Sequence, residues 1–209
     1  MKKLLHLIAT PRAKDSRTLK VSEVFLKEFK RKYPGCEVDV LNVATDKLPL
    51  LTVKSIDGKY VLLGGKELSA ELKEAWKGII GSIERFLSAD AYLISTPMWN
   101  FGIPYHLKHY IDIIVQPKYL FKYTEKGPEG LVKNKKMVVI TSRGGDYGTD
   151  SPFHAYDLQE PYLRAVFGFV GLTDIMFINT QPMDAQGPDV QKQKIEEALI
   201  IAKKVASAF

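Results

Sequence analysis

With 209 residues, the chain is long enough for a domain with a sizeable core, and its single cysteine, Cys36, excludes an internal disulfide. We therefore expect a reducing, cytoplasmic setting. The net charge of +6 is spread among acidic residues, which disfavours nucleic-acid binding but would favour small anionic ligands. The apolar run at the N-terminus stops at Ala9, before Pro11 and Arg12. We expect a first buried strand there, not a signal peptide or a membrane span.

Apolar runs bounded by turn residues predict five strands, and apolar residues at helical spacing predict five helices between and after them. The predicted strands are Leu4–Ala9, Val38–Val43, Ala91–Ser95, Lys136–Thr141 and Asp174–Asn179. The predicted helices run from Ser16 to the stop at Pro34 and Gly35, and over Ser69–Leu87, Pro104–Val115, Tyr156–Val170 and Asp189–Phe209. The second strand alternates apolar and polar residues, which is typical of a position near the sheet edge.

Two segments show no clear period. Residues 46–67 hold Pro49 and three glycines, and we expect a long excursion with some helix. Its Gly64–Lys66 is not a phosphate-binding P-loop, since Glu67 stands where Ser or Thr is required. Residues Gln116–Val132 are rich in aromatic residues and glycine, and they predict either an ordered loop or a short hairpin.

The alternation of strand and helix predicts an α/β fold with a five-stranded parallel sheet that is doubly wound, with helices on both faces. No linker or repeat divides the chain, so residues 1–209 are predicted to form a single domain. In the strand order 2-1-3-4-5, the turns after strands one, three and four lie at one carboxyl edge, where such sheets bind ligands.

The first of these turns, Thr10–Thr18, is polar, lacks glycine and leads into a helix. Its hydroxyl and cationic side chains are Ser16, Thr18, Arg12, Lys14 and Arg17. Free N–H groups at a helix N-terminus suit a single phosphate, whereas a pyrophosphate would call for a glycine-rich turn. The alternative is that Ser16 serves only as the N-cap.

The second turn, Pro97–Pro104, is here called the aromatic loop; it carries Met98, Trp99, Asn100 and Phe101. It would form an apolar wall, or alternatively close the core from the surface. The third turn, Ser142–Gly145, ends in two glycines whose backbone can approach a flat ring closely. Its Arg143 would either pair with an anion or lie on the surface. The three turns together contain the parts needed to hold a flavin mononucleotide (FMN).

Long motifs in the chain resemble one enzyme family. They are PMWNFGIP at 97–104, HLKHYID at 106–112, FKYTEKGPEGL at 121–131, ITSRGGDYG at 140–148 and PYLRAVFGFVGLTD at 161–174. This pattern is similar to the FMN-dependent NADH:azo-compound and quinone oxidoreductases (azoreductases) of the flavodoxin-like superfamily. The resemblance implies a flavodoxin-like fold, bound FMN, NADH or NADPH as co-substrate, a quinone or azo acceptor, two-electron ping-pong chemistry, and a homodimer with FMN sites near its interface.

The resemblance also implies roles for individual residues. The cofactor-binding positions are Thr10, Ser16, Arg17, Thr18, Pro97, Met98, Trp99, Asn100, Phe101, Ser142, Arg143, Gly144 and Gly145. The substrate pocket would be shaped by Trp99, Phe101, Tyr123 and Phe169. Two positions depart from the family pattern: Lys14 replaces the usual first Ser of the phosphate turn, and Trp99 replaces a frequent Tyr.

Other chemistries are weaker interpretations. His106, His109 and Asp112 lie three apart on one predicted helix, but catalytic zinc helices usually space histidines by four, so no metal is predicted. Ser142 lacks a nucleophile elbow, and no catalytic side chain is expected because the flavin carries the chemistry. The main alternative is a flavodoxin-type electron carrier, which the basic charge disfavours. A flavin-free scaffold of the same fold is another. We expect no nucleic-acid or membrane partner.

Overall fold

A five-stranded parallel sheet lies at the centre of the computed structural model, which describes residues 1–209. The chain has seven strands, two of which, the fourth and fifth, pair only with each other. The strands are β1 (Lys3–Ile8), β2 (Glu37–Asn42), β3 (Ala91–Pro97), β4 (Phe121–Thr124), β5 (Gly127–Gly130), β6 (Lys136–Ser142) and β7 (Asp174–Thr180). The sheet order is β2-β1-β3-β6-β7, and every pair in it is parallel. Counted within this sheet, the order is the predicted 2-1-3-4-5, and β2 lies at an edge as its alternating pattern indicated.

Helices cover both faces of the sheet. They are α1 (Arg17–Lys32), α2 (Val53–Leu63), α3 (Ala70–Ser88), α4 (Tyr105–Ile114), α5 (Glu160–Phe169) and α6 (Gly187–Ala208). Helices α1 and α6 pack on one face through residues such as Phe25 and Ala202, and the other four pack on the opposite face around Trp76 and Phe86. The inner strands are therefore apolar on both sides, as parallel strands must be when they are covered twice. No helix combines the length and the apolar character needed to cross a bilayer.

The predicted helix Tyr156–Val170 starts too early, and that prediction is wrong at its N-terminal end. Helix α5 begins at Glu160, while residues His154–Tyr156 form a separate 3-10 turn. The reason is Asp157, whose Oδ1 accepts hydrogen bonds from the backbone N–H groups of Gln159 (3.0 Å) and Glu160 (3.1 Å). A carboxylate that satisfies the first free donors of a helix fixes its start.

The excursion at 46–67 contains helix α2, which confirms the expected helical part. Thr52 and Ser55 form a capping box at its start. The helix sits close to α3 because Gly58 has no side chain: a Cβ there would lie 2.3 Å from Nε1 of Trp76. That indole Nε1 donates to the carbonyl of Ser55 (3.0 Å). In the segment Gln116–Val132, strands β4 and β5 form the short antiparallel hairpin that was one of the two predicted alternatives.

A buried chain of polar groups connects β1 to the first turn of α1. His6 Nε2 lies 2.7 Å from Ser95 Oγ, which lies 2.6 Å from Ser22 Oγ. The Ser22 hydroxyl donates to the carbonyl of Thr18 (2.8 Å). Burial disfavours the charged imidazolium and lowers the pKa of His6 to about 4. The histidine is therefore neutral at physiological pH, and its protonation would disrupt the support of α1.

We predict that His6 makes folding sensitive to acid. The pKa of His6 is about 4 in the folded protein, against an ordinary value of 6.5, so its contribution to stability is full above pH 6.5 and is lost as pH falls towards 4. At about 1.4 kcal/mol per pKa unit, the loss approaches about 3 kcal/mol. Urea unfolding of the wild type and of His6→Gln across this range gives a curve of unfolding free energy against pH for each protein, and the difference between the two curves measures the effect. Parallel curves would contradict the prediction.

Candidate functional site

The three predicted turns meet at the carboxyl edge of the sheet. The register pairs Ile8 with Ser95 and Pro97 with Ser142, so β3 and β6 end level and β1 ends two residues earlier. The N–H of Met98 donates to the carbonyl of Ser142 (2.9 Å), which joins the second turn to the third. A cavity of about 170 Å³ lies between the turns. The sheet topology therefore builds one cleft from three turns that lie far apart in the sequence.

A fourth segment, the loop of residues 181–186 after β7, also borders the cleft. The backbone N–H groups of Met183 (3.1 Å) and Asp184 (2.9 Å) both donate to the carbonyl of Gly144. This loop was not recognised as part of the site from the sequence. The signal that could have revealed it is topological, because the end of β7 must lie at the same edge as the ends of its parallel neighbours.

The first turn presents hydroxyl groups and unpaired backbone donors to the cavity. Ser16 Oγ accepts from the N–H of Leu19 (3.3 Å) and lies 2.8 Å from Thr18 Oγ1. Ser16 is thus the N-cap and lines the cavity as well, together with Thr10, Arg17 and Thr18. The N–H groups at the first positions of a helix have no acceptor within it, so this end of the cavity suits an anion.

The three basic residues of this turn do not all reach the cavity. Arg12 lines the cavity, whereas Lys14, in the 3-10 turn Ala13–Asp15, is exposed and does not. Arg17 also lines the cavity and pairs with Asp184 across it, with 2.7 Å between Nη2 and Oδ1. The positive charge at this end therefore comes from Arg12 and Arg17, and Lys14 does not stand in for the missing family serine inside the cavity.

The aromatic loop contains a tight two-residue turn. Trp99 and Gly102 exchange backbone hydrogen bonds of 3.0 and 2.9 Å, and the intervening Asn100 (φ 46°) and Phe101 (φ 69°) adopt left-handed conformations. Such a turn favours Asn and Gly, so a phenylalanine at its second position costs about 1–2 kcal/mol. Strain of this kind is typical of functional sites, where the surrounding structure holds it in place.

Surrounding residues hold Phe101 in this conformation. Its ring contacts those of Tyr147 (6.3 Å between centroids) and Tyr156 (5.1 Å), and its carbonyl accepts from the N–H of Leu158 (3.0 Å). The N–H groups of Asn100 and Phe101 donate no hydrogen bond within the chain. They remain available to a ligand at the rim of the cleft.

The glycine segment, Gly144–Gly145, is tightly enclosed. A Cβ on Gly144 would lie 3.2 Å from Asp184 Oδ2, and one on Gly145 would lie 3.2 Å from the Tyr147 hydroxyl. The two glycine N–H groups make no hydrogen bond within the chain. Neither glycine has a side chain of its own, so the backbone itself offers donors opposite the aromatic loop.

Arg143 pairs with an anion, as one of the two alternatives predicted, but that anion is a carboxylate of the chain itself. Its side chain is 1% exposed, so it is not a surface residue, and it points away from the cleft. Nη1 donates to Asp157 (2.8 Å), and Nε donates to Gln159 (3.1 Å), whose own amide donates to the carbonyl of Pro97 (2.8 Å). Burial lowers the pKa of the guanidinium, and the charge of Asp157 opposes that shift. Arg143 connects the third turn to the aromatic loop from behind.

A larger groove of about 880 Å³ opens beside Trp99, between α4 and the start of α5. Its lining includes Tyr105, Lys108, Leu158 and Tyr162, none of which was singled out from the sequence. Two of the three residues that could suggest a metal site also line this groove, and each of the two already has a partner within the chain. His109 Nε2 bonds to the carbonyl of Pro49 (3.0 Å), and Asp112 pairs with Lys108.

The structure does not bring Tyr123 and Phe169 to Trp99 and Phe101 within one chain. The start of α5 is near Pro97, but Phe169 is at the other end of this ten-residue helix, about 15 Å along its axis. Phe169 instead packs on Phe121 of the hairpin (4.8 Å between centroids), next to Tyr123. A single chain therefore does not assemble the predicted pocket from these four residues.

Comparison with known proteins agrees with the motif resemblance. A family model described as a flavodoxin-like fold matches residues 2–205. A protein named FMN-dependent NADH:quinone oxidoreductase from Nitratidesulfovibrio vulgaris strain Hildenborough is 37% identical over 209 residues, covering all of both chains. The chain belongs to the FMN-dependent NADH:quinone oxidoreductase family. A protein of the same name from Clostridium beijerinckii is also 37% identical, over 214 residues and all of both chains.

Solved structures agree at the level of the fold. The azoreductase from Bacillus anthracis strain Sterne superposes with a TM-score of 0.89 at 31% identity, covering 100% of both chains. An FMN-dependent NADH-azoreductase from Bacillus anthracis strain Ames Ancestor, solved in complex with FMN, gives a TM-score of 0.84 at 30% identity, covering 99% of this chain and 100% of that one. The predicted family is confirmed.

We predict that Arg143→Met lowers the free energy of unfolding by about 3 kcal/mol, because it leaves the buried Asp157 without its cationic partner. Urea unfolding measures the change. The double variant Arg143→Met/Asp157→Asn is the matched comparison, and it should recover part of the loss by removing the orphaned charge. A single variant as stable as the wild type would contradict the assigned role.

Proposed function

We propose that this chain is an FMN-dependent NADH oxidoreductase that reduces quinones and azo compounds by two-electron transfer. The observation that carries the proposal is the cleft itself. It has an anion-binding end at the first turn, and it is also lined by Trp99 and Gly144, which belong to two segments with unpaired backbone donors. The names of the relatives support the same activity.

The residues present fit FMN at both ends of the cleft. Thr10, Ser16 and Thr18 would hold the phosphate with hydroxyl and backbone donors, and Arg17 would supply charge. Pro97, Met98 and Ser142 line the same cavity between these ends. When bound, FMN supplies the hydride chemistry between NADH and the acceptor. NADPH remains the alternative co-substrate.

The protein contributes position, polarity and exclusion of water. The free N–H groups of Asn100, Phe101, Gly144 and Gly145 would donate to the edge of the flavin ring and stabilise negative charge there. Trp99 and Phe101 offer flat apolar surface on which an aromatic acceptor can stack. No side-chain nucleophile is required, and because stacking discriminates weakly, the range of acceptors should be broad.

We further propose that residues 1–209 act as one FMN-binding domain within a cytoplasmic homodimer, with no nucleic-acid or membrane partner. Large apolar side chains are exposed on and before α2, including Leu50, Val53 and Tyr60, and Tyr105 is exposed at the groove. Large apolar side chains that remain exposed in this number on one segment are typical of an interaction site. A second copy on this surface would also allow its Tyr123 and Phe169 to reach the substrate side. The free, buried Cys36 fits a reducing compartment.

The activity is tested by anaerobic titration of the FMN-loaded protein with NADH, followed by a quinone or an azo dye. We expect one equivalent of NADH to bleach the flavin absorbance and the acceptor to restore it. A protein that holds FMN but resists NADH would indicate an electron carrier. A protein that binds no FMN would indicate a flavin-free scaffold, and either result would overturn the proposal.

The dimer is tested by sedimentation equilibrium of variants at two exposed apolar sites. Val53, 79% exposed on α2, is changed to Glu, and Ile200, 68% exposed on α6, is changed to Glu as the control. A charge buried in an interface is costly, so Val53→Glu should weaken dimerisation by about tenfold or more, with no effect from Ile200→Glu. A monomeric wild type, or equal effects of both substitutions, would contradict the proposed surface.

A further inference from the structure

The loop after β7 places the carboxylate of Asp184 at the middle of the cleft. Its Oδ1 accepts from Arg17 Nη2 (2.7 Å), on the side of the first turn. Its Oδ2 is 3.2 Å from where a Cβ on Gly144 would be, on the side of the glycine segment. The carboxylate therefore lies between Arg17 of the first turn and Gly144 of the glycine segment, and it lines the cavity with both.

The position of Asp184 is fixed by the backbone. Its N–H donates to the carbonyl of Gly144 (2.9 Å), and the neighbouring Met183 and Ala185 donate to the same oxygen (both 3.1 Å). Three donors on one carbonyl attach the loop to the third turn independently of the Asp184 side chain. A change of that side chain should therefore leave the loop in place.

One oxygen of this carboxylate is open to solvent, since the side chain is 63% exposed. Oδ1 is occupied by Arg17, but Oδ2 accepts no hydrogen bond from the protein. The hydrogen bond from Arg17 and the charge of Arg12 hold the pKa of Asp184 below its usual range, so the group is ionised at neutral pH. A charged acceptor with a free oxygen in a ligand cleft is suited to a hydroxyl donor.

The chemistry of the cleft decides which part of a ligand meets Oδ2. A phosphate there would be repelled by the carboxylate, and it has a better site at the first turn. A flat ring belongs at the glycine segment and the aromatic loop. The part of the ligand that joins the two ends must pass Asp184, and a carboxylate would select a chain that carries hydroxyl groups.

We propose that Asp184 is a specificity-determining residue that accepts a hydrogen bond from a hydroxyl of the flavin's sugar-alcohol chain, while it holds Arg17 at the phosphate end. This inference rests on the proposed FMN-binding function. Arg17 is shared between two anions, Asp184 on one side and the phosphate on the other. Asp184 therefore contributes to recognition of the chain, and Arg17 contributes to recognition of the phosphate.

The test measures equilibrium binding to the apoprotein by quenching of flavin fluorescence, with three ligands. They are FMN, riboflavin, which lacks the phosphate, and lumiflavin, which lacks the whole chain. The variants are Asp184→Ala, Asp184→Asn and Arg17→Gln, and Asp189→Ala is the matched control because it changes an exposed carboxylate in the first turn of α6. Thermal unfolding of each variant establishes that it is folded.

We expect Asp184→Ala to weaken riboflavin by about tenfold, because a hydrogen bond between a charged group and the chain is lost, and to leave lumiflavin unchanged. FMN should weaken by at least the same factor, because Arg17 also loses the group that holds it at the phosphate. Asp184→Asn keeps an oxygen acceptor and should recover part of the affinity. Arg17→Gln should weaken FMN but not riboflavin. Asp189→Ala should change nothing.

Other outcomes overturn the inference. If Asp184→Ala tightens FMN and leaves riboflavin unchanged, Asp184 only competes with the phosphate for Arg17. If all three ligands weaken equally, the residue shapes the cleft and recognises no hydroxyl. If the wild type binds none of the three ligands, it is the proposed FMN function that fails, and that result is distinct from either of the others.

Discussion

The geometry of one end of the cleft, formed by the aromatic loop and the glycine segment and here called the ring end, depends on the hydrogen bonds of the buried Arg143 guanidinium. It leaves the third turn, passes behind the cleft and binds Asp157, which caps α5, and Gln159, which holds the carbonyl of Pro97. The segments that must face each other across a flat ligand are thereby tied to one rigid group. Since a planar guanidinium carries several donors in fixed directions, a lysine could not replace it.

The strained turn of the aromatic loop is explained by this attachment. Asn100 and Phe101 remain in left-handed conformations because Pro97 is held from behind and Leu158 binds the carbonyl of Phe101 in front. Their N–H groups donate to no acceptor within the chain and stay free for a ligand. The strained backbone therefore presents its N–H donors to a ligand from fixed positions, as mobile side chains could not.

The phosphate end depends on a different network, and one without charge. His6, Ser95 and Ser22 support the first turn of α1 from inside the core, and the histidine is neutral because it is buried. The charge at this end of the cleft is consequently set at its surface, by Arg12, Arg17 and Asp184. A cationic group beneath the helix would add to the positive end of its dipole and reduce the control that these surface residues exert.

The sequence was sufficient for the features that depend on local pattern. Apolar runs located the strands of the sheet, and the parallel topology then brought the three turns to one edge. It was insufficient where a side chain's neighbours are remote in sequence. The residues around Arg143 in the sequence do not indicate Asp157 as its partner. Asp157 itself reads as a loop residue in the sequence, and only the structure shows that it caps α5. Asp184 was missed for the same reason, since its partner Arg17 precedes it by 167 residues.

The two sides of the site differ in how completely one chain builds them. The cofactor cleft is bordered by four segments of the same chain, each anchored to its neighbour by backbone hydrogen bonds or by Arg143. The substrate side opens into a groove of about 880 Å³, and Tyr123 and Phe169 lie at the far end of α5 from it. Under the proposed dimer, flavin affinity would thus be a property of the single chain, and acceptor selection a property of the pair. Substitutions at the interface should therefore alter turnover with different acceptors more than they alter flavin binding.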